Sequence, residues 1–253
     1  MKSLNNLSCI ILLGGKGSRY SKLNEPPKQL IKIYKRTLIE NILILMKKNG
    51  ISNFILPLGY KKKYFYDFFF KKKKIGKYKL NLIISNNDNL KNNSINLSFF
   101  DAGKNVSKLT RIKKSLRYIN TDIFFVTYGD GISDINLSNI YKLHIKTKKL
   151  ILSSTRIKSQ YGHLDINKNK LVKNFFEKPI LSMPINIGYY LFTKSIFNKY
   201  YSKNYELETS FLNRIIKEKK LLSYFHKGYF FNIDKKIDLL KIRKENKKFI
   251  KIF

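Results

Sequence analysis

Short apolar runs typical of buried strands alternate along this chain with segments whose apolar residues recur at helical spacing. Strand-like runs occupy residues 8–13, 53–59 and 123–128, and the segment 106–119 places its apolar residues three or four positions apart. This alternation predicts an α/β fold: a Rossmann-like, doubly wound mixed sheet that is largely parallel.

Local signals set the expected boundaries and the domain organisation. Thr37 and Glu40 form a capping box before an apolar helical segment, and Gly50 follows its end. Beyond residue 156 the pattern changes to short strand-like pieces, a helical segment at 208–220, a return to strand at 221–234 and a lysine-rich C-terminal helix. No linker-like stretch interrupts the chain, so we expect one domain over 1–253, with halves 1–135 and 136–253.

Length and apolar content are those of a folded domain. The 253 residues are 43% hydrophobic, which is enough for a sizeable core and excludes a disordered chain. No apolar run reaches the length of a membrane span, and the run at 8–13 is too short for a signal peptide core. Cys9 is the single cysteine and is expected to be a small core residue in a reducing, cytoplasmic setting.

The formal net charge of +36 has two interpretations. Lysines are spread over the whole chain, and the other abundant residues share their A/T-rich codons, so codon bias explains the excess and no specific nucleic acid partner is expected. The alternative, a basic module that binds nucleic acid or an anionic membrane surface, stays open.

A glycine-rich turn follows the first predicted strand, in the sequence ILLGGKGSR at residues 11–19. Gly14, Gly15 and Gly17 let several backbone N–H groups face one concave turn, which suits a phosphate. Arg19 and Lys28 can add positive charge there. The spacing fits neither the Walker A loop nor the dinucleotide fingerprint, so the turn by itself is also typical of an ordinary strand-to-helix connection.

Two aspartates follow predicted strands at distant points of the chain. Asp130 lies between Gly129 and Gly131, and Asp234 follows an aromatic run. Sites in doubly wound sheets form at the carboxyl ends of strands, and two separated carboxylates can hold a hard cation such as Mg²⁺. Taken singly, Asp130 is equally typical of a turn and Asp234 of a helix N-cap. The three histidines have no zinc-site spacing, and no G-x-S-x-G elbow is present.

Taken in order, these motifs resemble those of the sugar-phosphate nucleotidylyltransferase family, and most closely its glucose-1-phosphate cytidylyltransferase branch. The resemblance rests on LLGGKGSR, PPKQL, VTYGDGISD, YGHLDI, FFEKP, NIGYYLF, YELETSFLNRI and FFNID, at similar spacing over nearly the whole chain. It implies an enzyme that joins a nucleoside triphosphate, expected to be CTP, to a sugar 1-phosphate, expected to be glucose 1-phosphate. The products would be an NDP-sugar and pyrophosphate, and Mg²⁺ the cofactor. It also implies a small β-rich sugar-binding subregion, a role in polysaccharide or lipopolysaccharide precursor synthesis and a possible homo-oligomer.

The resemblance also implies the site residues. Residues that would bind the nucleotide are Leu12, Leu13, Gly14, Gly15, Lys16, Gly17, Ser18, Arg19, Lys28, Arg111 and Asp130. Among these, Arg19, Lys28 and Asp130 would be catalytic, and Asp130 and Asp234 would hold the metal. The sugar phosphate would contact Gly162, Glu177, Lys178, Asn186 and Glu206. Glu206 and Glu208 form an acidic pair that is equally explained by favourable charge at a helix N-terminus.

The departures from the family pattern concern the surroundings of the base. Leu13 replaces the family's alanine, Gln29 replaces its second proline, and Leu109 and Thr110 stand where the cytidylyltransferases carry a Gly-Gly pair. The alternatives are therefore UTP, dTTP or GTP as donor, or a phosphocholine or alditol phosphate as acceptor.

Overall fold

A nine-stranded sheet forms the centre of the molecule in the computed structural model, which describes residues 4–15, 25–83 and 94–244. Strands within this part are β1 (Ser8–Leu12), β2 (Lys32–Ile33), β3 (Arg36–Thr37), β4 (Asn53–Leu58), β5 (Lys74–Ile75), β6 (Tyr78–Ile83), β7 (Ile95–Asp101), β8 (Ile123–Tyr128), β9 (Gly131–Ser133), β10 (Leu150–Thr155), β11 (His163–Ile166), β12 (Val172–Phe176), β13 (Ile185–Thr193), β14 (Leu221–Phe225) and β15 (Phe230–Asn232). The order in the main sheet is β14-β10-β13-β8-β1-β4-β7-β6-β5.

Helices cover both faces of this sheet. Those in the described residues are α1 (Leu38–Lys48), α2 (Lys62–Phe70), α3 (Lys108–Ser115), α4 (Leu137–Thr147), α5 (Lys194–Tyr200), α6 (Leu212–Lys217) and α7 (Lys236–Lys244). A π-helical turn at Leu207–Phe211 leads into α6. The capping box of α1 is confirmed: the Glu40 amide donates to the Thr37 hydroxyl at 3.3 Å, and the Thr37 amide donates to Glu40 Oε2 at 2.8 Å.

Strand directions confirm the predicted α/β class. β1 pairs in parallel with β4 on one side and β8 on the other, β4 pairs in parallel with β7, and β7 with β6. β13 runs antiparallel between β8 and β10, which makes the sheet mixed. Because the chain leaves β1 toward β4 and later returns to its other side as β8, the carboxyl ends of β1 and β8 flank a topological switch point, where such folds bind ligands.

Alternate residues of the central strand β1 pack in two different hydrophobic clusters. Ile10 and Leu12 pack in the cluster that contains α3 side chains, whereas Cys9 and Ile11 pack in the cluster that contains α1 side chains. Cys9 is fully buried, as expected of a core residue, and burial raises the pKa of its thiol. Among the described residues, the helices are all too short or too polar to cross a membrane.

Three small antiparallel ribbons stand apart from the main sheet in the described residues, and β2 with β3 forms the shortest. Of the other two, one joins β9 to β15 and one is the β11–β12 hairpin, whose strand residues are all exposed. The return to strand predicted at 221–234 is therefore divided, since β14 extends the main sheet beside β10 and β15 pairs with β9.

Candidate functional site

A cleft of about 730 Å³ opens at the carboxyl ends of β1 and β8. Its lining includes ten of the predicted site residues: Leu12, Leu13, Gly14, Gly15, Lys28, Arg111, Asp130, Asn186, Glu206 and Asp234. These residues come from points as far apart as the first strand and the last loop, so the fold assembles them at one place. Lys16, Gly17, Ser18 and Arg19 lie outside the described residues.

Lys28 and the two predicted metal ligands form the polar centre of this cleft. The Lys28 ammonium lies 2.8 Å from Asp130 Oδ2 and 3.3 Å from Asp234 Oδ1, and it donates to the Ile233 carbonyl at 2.9 Å. The Lys28 side chain is 11% exposed, whereas the aspartates are 27% and 36% exposed. One cation thus already bridges two carboxylates that remain open to the cleft.

The β9–β15 ribbon explains why the two aspartates meet. Asp130 immediately precedes β9, Asp234 closely follows β15, and the antiparallel register places Gly131 opposite Asn232. The Ile233 amide extends this pairing by donating to the Asp130 carbonyl at 3.0 Å. A single ribbon therefore fixes both carboxylates at its cleft end.

Close backbone packing shapes the described part of the glycine turn. Gly14 has φ +96°, and a Cβ there would lie 2.6 Å from the Gly59 amide nitrogen. A Cβ on Gly129 would lie 2.3 Å from Leu13 Cδ2, so Leu13, which departs from the family pattern, fills the space above this glycine. At Gly14 the positive φ and the nearby Gly59 backbone both favour glycine, whereas a side chain at Gly129 would require Leu13 to move.

Arg111 lines the cleft, but its hydrogen bonds are directed into the protein. It is only 4% exposed, and burial lowers the pKa of its guanidinium. The recorded acceptors are all backbone carbonyls, and they include those of Gly14 at 3.3 Å, Leu58 at 3.0 Å, Gly103 at 2.8 Å and Val106 at 3.2 Å. In this arrangement Arg111 holds the glycine turn against the loop before α3, and a nucleotide contact would require these bonds to be exchanged.

A chain of polar side chains begins at Asn186 and Tyr128, which line the cleft, and continues through residues outside its lining. Asn186 donates to the Tyr190 hydroxyl, which lies 2.7 Å from the Tyr128 hydroxyl, and Tyr128 donates to Glu208. Because the single Tyr128 proton is used on Glu208, Tyr190 must donate to Tyr128. Glu208 also pairs with Lys108, whose ammonium lies 5.1 Å from the Tyr128 ring centre.

The protonation states of Glu208, Tyr190 and Tyr128 follow from their burial and contacts. Burial would raise the pKa of Glu208, but hydrogen bonds from Lys108 and Tyr128, together with the Lys108 charge, hold it below its ordinary value. Burial raises the pKa of Tyr190 to about 12 and also raises that of Tyr128. At neutral pH this chain of side chains therefore contains a carboxylate at Glu208 and two neutral phenols, of which that of Tyr128 lines the cleft.

Three predicted sugar-phosphate residues are not brought into the cleft. Gly162, Glu177 and Lys178 flank the strands of the exposed β11–β12 hairpin and are absent from the cleft lining. Lys178 and Glu177 pair with each other at 3.1 Å, with side chains 60% and 62% exposed. Asn186 and Glu206 line the cleft without them.

Sequence reasoning missed the loop before α3. Lys104, Ser107 and Lys108 all line the cleft, and Ser107 caps α3 by accepting the Thr110 amide at 3.1 Å. The position of this loop could have been inferred, because it follows β7 at the same edge of the sheet as the loops after β1 and β8. It was hidden by a composition in which a lysine carries little information.

The donor set fits a hard divalent cation. Asp130 and Asp234 supply carboxylate oxygens, which Mg²⁺ prefers, and both already contact one ammonium. Among the described residues, no group of three or more histidine, cysteine or acidic side chains could hold a metal. A cation at this pair would therefore complete its coordination with water and substrate phosphates, which is the usual arrangement for Mg²⁺.

Comparison with known proteins gives consistent matches over most of the chain. The profile of the family described as nucleotidyl transferase matches residues 8–242. A probable glucose-1-phosphate cytidylyltransferase of Bacillus subtilis (strain 168) is 31% identical over 253 residues, covering 94% of this chain and 95% of that protein. A D-glycero-alpha-D-manno-heptose 1-phosphate guanylyltransferase of Campylobacter jejuni is 28% identical, covering 90% of this chain and 94% of that protein.

Solved structures match the fold. The crystal structure of HddC from Yersinia pseudotuberculosis has a TM-score of 0.65 at 21% identity, covering 94% of this chain and 99% of that one. A UDP-glucose pyrophosphorylase complexed with UDP-glucose has a TM-score of 0.67 at 19% identity, covering 96% and 98%. At these identities the likeness concerns the fold, and it confirms the predicted Rossmann-like transferase architecture.

Proposed function

This chain belongs to the nucleotidyl transferase family and is a sugar-phosphate nucleotidylyltransferase, and we propose that its substrates are CTP and glucose 1-phosphate. The products would be CDP-glucose and pyrophosphate. Similarity to cytidylyltransferases of Bacillus subtilis and Salmonella typhimurium, at 31% and 26% identity, supports this pair. The similarity to a heptose 1-phosphate guanylyltransferase makes GTP the main competitor.

The convergence of Asp130 and Asp234 on the Lys28 ammonium carries the proposal. Nucleotidyl transfer brings two polyanions together, so it needs fixed cations and a place for a divalent ion beside a phosphate-binding turn. The cleft supplies the described part of that turn, one fixed ammonium and two carboxylates within reach of one cation.

The proposed reaction is an in-line displacement at the α-phosphorus. A phosphate oxygen of the sugar 1-phosphate forms the new P–O bond, and the bond to the α–β bridging oxygen breaks as pyrophosphate leaves with its electron pair. A phosphate dianion is already a nucleophile, so the residues need not remove a proton. Positioning and electrostatic stabilisation are then the main tasks of the site.

Each cleft element has a defined task in this scheme. Backbone N–H groups of the glycine turn and Arg19 would bind the triphosphate, and Lys28 would contact the α-phosphate. Asp130 and Asp234 would hold Mg²⁺, which when bound supplies positive charge against the phosphate oxygens. Asn186 and Glu206, which also line the cleft, would orient the acceptor.

The hairpin residues Gly162, Glu177 and Lys178 keep their proposed acceptor role. Lys178 would bind the phosphate of the sugar 1-phosphate. Since none of the three lines the cleft, this role requires the β11–β12 hairpin to approach the cleft when the acceptor binds.

A substrate grid tests the proposal. Purified protein with Mg²⁺ is incubated with CTP, UTP, dTTP or GTP against glucose, mannose and heptose 1-phosphates, phosphocholine and an alditol phosphate. Pyrophosphate release gives the rate, and mass spectrometry identifies the product. CTP with glucose 1-phosphate should give the highest kcat/KM. A different best pair overturns the substrate assignment, and pyrophosphate release from no pair overturns the activity.

A further inference from the structure

His226 is a buried histidine outside the cleft lining, and its ring contacts residues at the end of β9 and just before β15. It is 6% exposed, and its Nε2 lies 3.0 Å from Ser133 Oγ, 2.9 Å from Asp134 Oδ1 and 3.2 Å from the Tyr229 carbonyl. The Asp134 carboxylate and the Tyr229 carbonyl can only accept, so Nε2 carries the proton that they share.

The backbone of His226 is anchored to the main sheet. Its amide donates to the Ser154 carbonyl at 2.7 Å, and its carbonyl accepts the Thr155 hydroxyl at 2.8 Å. His226 follows β14 and continues the pairing of that strand with β10. The imidazole therefore extends from a backbone that is fixed to β10 and contacts Ser133 and Asp134.

The partners of the imidazole lie at the end of the β9–β15 ribbon that is remote from the cleft. Ser133 is the last residue of β9, and the Asp134 amide donates to the Tyr229 carbonyl at 3.2 Å. In return, the Tyr229 amide donates to Asp134 Oδ1 at 2.6 Å. The cleft end of the same ribbon carries Asp130 and Asp234.

We propose that His226 is a positioning residue that fixes the β9–β15 ribbon to the main sheet and thereby sets the relative position of the two cation-binding carboxylates. This inference rests on the proposed function for its catalytic meaning, but the anchoring itself does not. A two-stranded ribbon of three residues a side has little stability alone. Ile132 and Ile233 pack this ribbon into the core, and His226 supplies a polar attachment at the end remote from the cleft.

Three variants separate positioning from general stability. His226→Ala removes the tie, and His226→Gln restores an N–H donor of similar reach. His144→Ala is the matched control, because His144 is 4% exposed and its Nδ1 lies 2.7 Å from the Lys149 carbonyl, away from the ribbon. All three are studied below their unfolding transitions.

Two measurements need no substrate. Amide hydrogen exchange followed by mass spectrometry reports on residues 229–234, where the Ile233 amide pairs with Asp130. Calorimetric titration with Mn²⁺ reports on the carboxylate pair. We expect His226→Ala to speed exchange in this segment at least tenfold and to weaken Mn²⁺ binding at least fivefold. His226→Gln should remain within about twofold of the unaltered protein in both measurements.

The control defines the contrary result. His144→Ala should leave exchange in 229–234 and Mn²⁺ affinity within twofold of the unaltered protein, even if it unfolds at a lower temperature. Equal changes in His226→Ala and His144→Ala, or unchanged exchange in His226→Ala, overturn the positioning role. Because neither readout involves a nucleotide or a sugar, a failed substrate grid would leave this test intact.

Discussion

Replacing Lys28 with methionine should affect metal binding and turnover in opposite directions. The ammonium bridges Asp130 and Asp234 at 2.8 and 3.3 Å and also donates to a backbone carbonyl. Methionine keeps a similar length but removes the charge and all three bonds. The two carboxylates would then lose the ammonium that lies between them.

The expected stability loss follows from these contacts. Hydrogen bonds to charged groups contribute about 1.5–3 kcal/mol each, and the aspartates are 27% and 36% exposed, so water replaces part of what is lost. We expect Lys28→Met to lower the free energy of unfolding by about 2–4 kcal/mol without metal. In a protein of this size the melting temperature falls by roughly 2–4 °C per kcal/mol.

Metal affinity should rise, because the ammonium no longer competes with a divalent ion for the same oxygens. We expect at least tenfold tighter Mn²⁺ binding without nucleotide, which corresponds to about 1.4 kcal/mol. Turnover at saturating metal should fall by roughly 10²–10³, the usual cost of removing one fixed donor to developing charge.

Calorimetric titration, thermal unfolding and pyrophosphate release measure these three quantities. Lys62→Met is the control, since Lys62 and its partner Asp101 are absent from the cleft lining and both side chains are 43% exposed. It should change melting by little and leave metal affinity and turnover unaltered. Weaker Mn²⁺ binding in Lys28→Met, or turnover within threefold of normal, would refute the role given to this ammonium.

Three further predictions concern the cleft and its support. Asp130→Asn should lower kcat at least 100-fold with unchanged circular dichroism, as measured by pyrophosphate release. Gly14→Ala should lose about 1–3 kcal/mol of stability by chemical denaturation and bind nucleotide more weakly, since φ is +96° and Gly59 leaves no room for a Cβ. Glu40→Gln should be destabilising at pH 7. Burial raises the pKa of Glu40, but hydrogen bonds, first that from Lys72, hold it below its ordinary value of 4.5. This stabilisation is present above about pH 4.5 and is lost as pH falls through the folded-state value, so urea denaturation at pH 3 should show a smaller difference.

Elements with a strong local signal could be predicted from the sequence. The capping box at Thr37 begins α1, and the apolar run around Cys9 forms the central strand, because local propensity and burial favour the same structure there. The segment 221–234 was harder. Its apolar residues indicate strand throughout, but the change of sheet near His226 depends on contacts with Ser133 and Asp134, which are more than 90 residues away.

The site could be predicted in part for a similar reason. Asp130 follows a strongly apolar strand, and Asp234 follows an aromatic one, so the strand-end rule points to both. Their proximity was implied by the family resemblance but could not be derived from the residues alone, because it depends on the register of a three-residue ribbon. The orientation of Arg111 was equally hidden, since the carbonyls that accept its bonds belong to three separate parts of the chain, the end of β4 and the loops after β1 and β7.

For the β11–β12 hairpin, side-chain packing and the family resemblance imply different positions for the predicted site residues. Its apolar side chains are exposed, with Leu164 at 51%, Val172 at 56% and Phe175 at 63%, so they belong to neither core cluster of the described residues. The family motif places Glu177 and Lys178 beside the sugar phosphate, whereas packing leaves them on an arm outside the cleft. The residues proposed to hold the metal are thus fixed by the main sheet and the β9–β15 ribbon. Glu177 and Lys178, which are proposed to bind the acceptor, would reach the cleft only if a bound molecule held the β11–β12 hairpin there. Substrate is the simplest candidate for that molecule. Hydrogen exchange of residues 161–178 should slow when glucose 1-phosphate and a nucleotide are added together, and unchanged exchange would remove Lys178 from the acceptor site.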